Sequence, residues 1–267
     1  MPEEREWAAY FYDDAPGIFV NKLGIKDARL WEAERFLVAR RAEQLYAGQV
    51  TIPQTLDLEQ YLAIHRFIGQ DLYEWAGRVR DVSIGKILDD GEPARWFLPP
   101  AAIEPWMAAV SETARSIEWE KLDRPSFVTE IAALHTELNF MHAGRELNGR
   151  TARIFLHQVA ERTEFALDFD RVEKAEWDRA SHLSRPSGRP GAEWRRNGPL
   201  NYEVGATVFE KIVIVRAAAA QPAPVLSAAR FAQLDFPTAP KLERRAQPHA
   251  AAYKPTAGRE GDLYRGR

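Results

Sequence analysis

The chain has 267 residues, 45% hydrophobic and 28% charged, which is enough to bury a core without staples and too ordinary for a disordered or fibrous protein. It has no cysteine, which excludes disulfides, thiolate catalysis and cysteine-ligated zinc or iron–sulfur sites. The net charge of -3 hides an asymmetry: residues 217–267 hold eight Lys and Arg against four Asp and Glu, together with six prolines and fourteen alanines. Residues 1–210 are therefore read as the folded domain, with its core at about 10–185, and 217–267 as a basic, disordered tail. A mean hydropathy of -0.42, with no apolar run near the roughly 20 residues a bilayer needs, predicts no membrane span. The acidic start, unlike a secretory leader, predicts a cytoplasmic protein.

Apolar residues recur at helical spacing over 28–45, 58–72 and 103–117, the last with Pro105 in its first turn. Between Arg78 and Leu98 the pattern changes to Val79, Val82, Ile84 and Ile87 with a turn at Asp89, Asp90 and Gly91, which predicts a short hairpin. Phe127, Ile131, Leu134, Leu138 and Met141 step by four, three, four and three after a start at Pro125 and Ser126, the clearest helix in the chain. Another follows from Asn148 through Ile154, Phe155, Leu156 and Val159. The expected fold is a mainly α bundle with one small β-element.

The chemistry concentrates between the last two helices, in the run His142, Ala143, Gly144, Arg145, Glu146, Leu147, Asn148, Gly149, Arg150, Thr151, Ala152, Arg153. Residues before Asn148 lie at the positive end of a helix dipole, where unpaired backbone N–H groups bind phosphate. Arg150 and Arg153, three apart, are expected to share a face and reach one polyphosphate together. Glu146 adds a hard oxygen of the kind Mg²⁺ takes beside phosphates, and His142 stands at the lip as a base. The plainer reading also stays open, in which Asn148 and Gly149 only cap a helix and the arginines form surface ion pairs. No Gly-x-x-x-x-Gly-Lys loop and no His-Glu-x-x-His pattern is present, so a Walker-type ATPase and a zinc protease are excluded. His135 is read as a helix-packing residue, and His65, His157 and His182 receive no role.

This run resembles, without a gap, the signature of Fic-domain nucleotidyl transferases: histidine, any residue, phenylalanine, any residue, an acid, then Gly-Asn-Gly-Arg, two residues and arginine. The similarity extends to Tyr12, Asp13 and Asp14, to residues 21–27, to 58–67, to 71–80, to the Leu138, Asn139, Phe140, Met141 run-in, and to 168–172. The resemblance, closest to toxin-type members, implies a Fic-type helical bundle that transfers AMP from ATP to a hydroxyl of a target protein's Tyr, Ser or Thr. It implies His142 as the base, Glu146 as the Mg²⁺ ligand, Asn148, Gly149 and Arg150 as the anion hole, and Arg153 at the γ-phosphate. The hairpin residues Val82, Ser83, Ile84, Gly85 and Lys86 look like the flap that docks the target as an added strand. Type II topoisomerase subunits are the target class implied; neither nucleic-acid nor membrane partners are expected.

The chain departs from the signature at three positions. Gly144 stands for the phenylalanine, which predicts a looser loop because a buried aromatic is missing. Leu147 stands for a glycine, which predicts crowding of the anion hole or a strained backbone. Ala143 stands for the common proline. Two other functions stay open on these grounds: a non-catalytic Fic-like binding module, and a Fic enzyme that transfers another phosphate-containing group. The inhibitory pattern of the family, Ser or Thr, three residues, Glu, then Gly or Asn, fails at Thr55 with Glu59 and at Ser116 with Glu120. It is met by Thr256, Glu260 and Gly261 in a segment whose Pro255 and Gly258 oppose a helix. A separate small antitoxin is the expected inhibitor, and the basic tail is a candidate delivery signal.

Overall fold

The computed structural model describes residues 7–86, 94–187 and 200–216. The tail, the hairpin turn at Asp89–Gly91 and the Thr256 pattern lie outside the described residues.

The centre of the bundle is α4 (Arg124–Met141), whose start is fixed by Asp123 accepting from the Ser126 N–H at 3.0 Å and by Pro125 in the first turn. Its buried residues, from Phe127 and Val128 to Phe140 and Met141, cover most of the cylinder, leaving a narrow side with Ser126, Glu130, Ala133 and Glu137 that is only partly covered. Against it lie α3 (Ile103–Ser116), α5 (Asn148–Ala160) and α7 (Tyr202–Ile212). Gly205 lets α7 come close, since a Cβ there would stand 3.0 Å from Thr136 Oγ1 on α4.

α2 (Leu58–Gly69) packs along α5, and α1 (Arg29–Tyr46) packs on both. Gln60 of α2 donates to Gln158 of α5 at 2.8 Å and accepts from the Leu56 N–H at 2.7 Å, so a buried amide ties the two helices and satisfies itself. The helix expected over 58–72 stops at Gly69, whose carbonyl accepts both the Leu72 and Tyr73 N–H groups in a turn.

The expected hairpin is present as β3 (Gly85–Lys86) against β4 (Arg95–Trp96), antiparallel, with the Phe97 N–H continuing the ladder to Ile84. Two further two-stranded ladders and two helices were not expected. β1 (Phe11–Tyr12) pairs β2 (Ala15–Phe19), and β5 (Phe165–Leu167) pairs β6 (Val213–Val215). α6 (Lys174–Leu183) precedes α7. Strands of two to five residues are too short to show a period of two. Among the described residues, no helix is long and apolar enough to cross a membrane.

Candidate active site

α4 ends where His142 turns into the left-handed region at φ 44°, its N–H still bonded to the Leu138 carbonyl. The chain then loops over to Leu147, also left-handed at φ 66°, and enters α5. The Asn148 side chain locks onto the Gly144 backbone at both its polar atoms: Oδ1 accepts from the Gly144 N–H at 2.7 Å and Nδ2 donates to the Gly144 carbonyl at 2.8 Å. Tyr61 on α2 adds a bond to Asn148 Oδ1 at 3.2 Å. Thus the Asn148 side chain closes the loop, and what it leaves for an anion is the backbone at the start of α5, beside exposed Gly149.

Four residues without an assigned role hold this loop and its neighbours. His65 of α2 is wholly buried between the Gly77 N–H, 2.7 Å from Nδ1, and the Glu146 carbonyl, 2.9 Å from Nε2. Burial pushes its titration down to about 4. Arg80 ties the loop to the flap: Nε donates to the His142 carbonyl at 2.8 Å, Nη1 to Val82 at 2.7 Å, and Nη2 to Leu98. Phe97 stacks on the His142 ring, with centroids 3.6 Å apart and planes within 17°. Arg185, past the end of α6, lies 4.1 Å over the Phe97 ring and donates to the Arg95 carbonyl at 2.7 Å. Burial, with Arg80, Arg185 and Lys86 nearby, holds His142 well below the usual histidine range, so its imidazole is neutral at pH 7.

The two motif arginines do not share one open face. Arg150 is buried and paired with Glu34 of α1 at 2.7 Å, with Glu146 3.8 Å away. Glu34 also accepts the Tyr73 hydroxyl; burial pushes its carboxyl up, and Arg150 opposes that. Arg153, equally buried, lies 5.1 Å over the Phe169 ring and 4.8 Å over Trp177. Glu146, 24% exposed, keeps a hard oxygen at the loop's outer side, which suits a cation held mostly by phosphate and water.

Leu147 is 1% exposed, packed in the core against α2, where a Cβ added to Gly69 would meet its Cδ1 at 2.7 Å. The leucine therefore spends its bulk on the core. His135 is the packing residue it was expected to be, set 4.6 Å from Trp177 and 5.4 Å from Phe209.

A readable signal existed for two of the overlooked residues. Glu34 falls on the stripe Leu30, Glu34, Val38, Ala42 of α1, and His65 on the stripe Tyr61, His65, Ile68 of α2. A polar residue on an apolar stripe needs a buried partner. Arg80, Phe97 and Arg185 carry no such signal.

This fold, with a helix-to-helix loop carrying a histidine, an acid and two arginines, defines a Fic-type protein. The Fic/DOC family model matches residues 55–160. The chain is 34% identical over 169 residues to the probable protein adenylyltransferase y4lH of Sinorhizobium fredii, a match covering 59% of this chain and 79% of that one. It is 36% identical over 173 residues to the protein adenylyltransferase VbhT of Bartonella schoenbuchensis, covering 64% of this chain but only 34% of VbhT. A crystal structure of BepC from Bartonella tribocorum with bound AMPPNP superposes with a TM-score of 0.65 at 22% identity, over 78% of this chain and 97% of that one. The chain belongs to the Fic/DOC family.

Proposed function

We propose that the protein transfers AMP from ATP to a Tyr, Ser or Thr hydroxyl of a target protein. The observation that carries this reading is the neutral His142, set at the end of α4 beside the α5 amino terminus with Glu146 and two buried arginines. The names of the relatives, protein adenylyltransferases, support it.

In this reading the target hydroxyl gives its proton to His142 as its oxygen attacks the α-phosphorus, the bond to the β-phosphate oxygen breaks, and pyrophosphate leaves. Backbone N–H groups of Asn148, Gly149 and Arg150 receive the phosphate charge, and Arg153 is the arginine assigned to the γ-phosphate, the Arg150 guanidinium being paired with Glu34. Glu146 would hold Mg²⁺, which supplies charge neutralisation at the α- and β-phosphates. The flap residues Val82 to Lys86 offer a strand edge for an extended target segment, and Arg80 fixes that edge relative to His142. Leu147, packed into the core, argues against the reading of a degenerate loop.

By resemblance to toxin-type members, the protein is a bacterial toxin or a delivered effector. Type II topoisomerase subunits are the first targets to test, and a small antitoxin is the expected inhibitor. The test is incubation of the purified chain with ATP labelled at the α-phosphate, Mg²⁺ and bacterial lysate. Label on a protein, lost in His142→Ala with the fold retained, is the expected result; label retained in that variant removes His142 from the mechanism.

A further inference from the structure

His65 and Gly69 lie four residues apart on α2 and so on one face of it. Each meets one of the two loop residues that depart most from the family signature, and in each pair one member is large where the other is small. A Cβ on residue 144 would stand 2.4 Å from His65 Nε2 and 2.9 Å from its Cδ2. No contact that close is tolerated, and the ring has no room to yield because both nitrogens are engaged. Gly144 is outside the left-handed region, so the imidazole above all, with the Glu146 carbonyl 3.1 Å from the same Cβ, and not the backbone conformation, is what demands glycine there. At the second pair a Cβ on Gly69 would stand 2.7 Å from Leu147 Cδ1 and 3.0 Å from the Ala76 Cβ.

The bonds of His65 fix its state. The Gly77 N–H can only donate, so Nδ1 must carry the lone pair; the Glu146 carbonyl can only accept, so Nε2 must carry the proton. The ring is therefore a neutral strut of defined tautomer between the turn after α2 and the carbonyl of the loop's acid. Below it, the Leu147 side chain anchors the left-handed residue that opens α5.

We propose that His65 and Gly69 are positioning residues: the face of α2 that carries them is the template that holds the loop from Gly144 to Leu147, and with it Glu146 and the first amides of α5, in nucleotide-binding shape. The inference rests on the reading that this loop receives ATP. It also means that the missing phenylalanine does not loosen the loop, because the loop is held by its carbonyl at Glu146 and by Leu147.

Two measurements on the full chain test it. A long-range ¹H–¹⁵N spectrum of the ¹⁵N-histidine protein should show His65 neutral with the proton on Nε2; a proton on Nδ1 would overturn the proposal. Binding of AMPPNP with Mg²⁺ is then measured in two double-mutant cycles. Gly144→Ala should weaken binding about tenfold in the natural background and markedly less once His65→Ala is present, with only the Glu146 carbonyl left 3.1 Å from the new Cβ. Gly69→Ala should behave likewise against Leu147→Ala. Effects that simply add in both cycles overturn the proposal. Should a variant fail to fold, the other cycle and the wild-type spectrum still decide. Coupled cycles in a protein that binds AMPPNP without transferring AMP would sink the proposed function alone; additive cycles in an active transferase would sink the template alone.

Discussion

Arg150 and Arg153 stand one turn apart on α5, are the same residue type, and are 2% and 1% exposed, yet they are held by different physics. On the α1 side Arg150 meets a carboxylate, Glu34, itself bonded to Tyr73. On the α6 side the partners described for Arg153 are the faces of Phe169 and Trp177. A buried cation with a buried counter-charge depends strongly on it, because its removal takes away the nearest compensating charge and leaves the partly exposed Glu146, 3.8 Å away. A cation between aromatic faces depends on planar stacking, which spreads the stabilisation over several weaker contacts. The motif specifies the arginines and says nothing of this difference.

The comparison breaks most visibly at Glu34. Glu34→Ala should cost about 3–5 kcal/mol in denaturant unfolding, since Arg150 loses its buried counter-charge. Trp177→Ala should cost about 3 kcal/mol, mainly through the cavity it leaves in the core. If the two proved equal while Glu34→Ala left Arg150 in place, the ion pair would matter less than its burial suggests. Arg153→Lys should cost about 1 kcal/mol in stability but raise the ATP requirement, since an ammonium cannot stack as a guanidinium does; an unchanged ATP requirement would take Arg153 out of the nucleotide site. Tyr73→Phe, which removes one bond to Glu34, should cost about 1–2 kcal/mol.

Acid should act on both sides of α5, since His135 lies against Trp177 while His157 lies against Tyr46 at the end of α1. Burial, with Arg153 adding to it, pushes His135 down to about 3, and burial, with Arg216 adding, pushes His157 down to about 4. In both, the unfolded chain binds the extra proton, so their contribution is intact above about pH 6.5 and is lost as pH falls towards the folded values. Each group should lower stability by about 1.4 kcal/mol per pH unit in that window. Unfolding midpoints measured from pH 7 to 4 check this, and His135→Phe should flatten the slope.

Much of the bundle was legible because burial writes itself as a period. Pro125 and Ser126 marked the start of α4, and the steps from Phe127 to Met141 marked its length. α7 escaped because Gly205 opens its buried stripe of Val208, Phe209 and Ile212, although the glycine is there for the packing against Thr136. The order of His142, Glu146, Asn148, Arg150 and Arg153 was readable as a motif. What surrounds them was not: Glu34 meets Arg150 across 116 residues of sequence, and His65 reaches the Glu146 carbonyl across 81. Such pairings are made by the packing of α1, α2 and α5, and only a charge or an imidazole on an apolar stripe hints at them beforehand.

The most direct test of the account is parallel incubation of the purified chain, Mg²⁺ and lysate with ATP labelled at the α-phosphate or at the γ-phosphate. Adenylyl transfer predicts protein-bound label from the α-position alone, attached to a hydroxyl side chain and absent with His142→Ala. Label from the γ-position, or no transfer by a folded protein that binds AMPPNP, would contradict it.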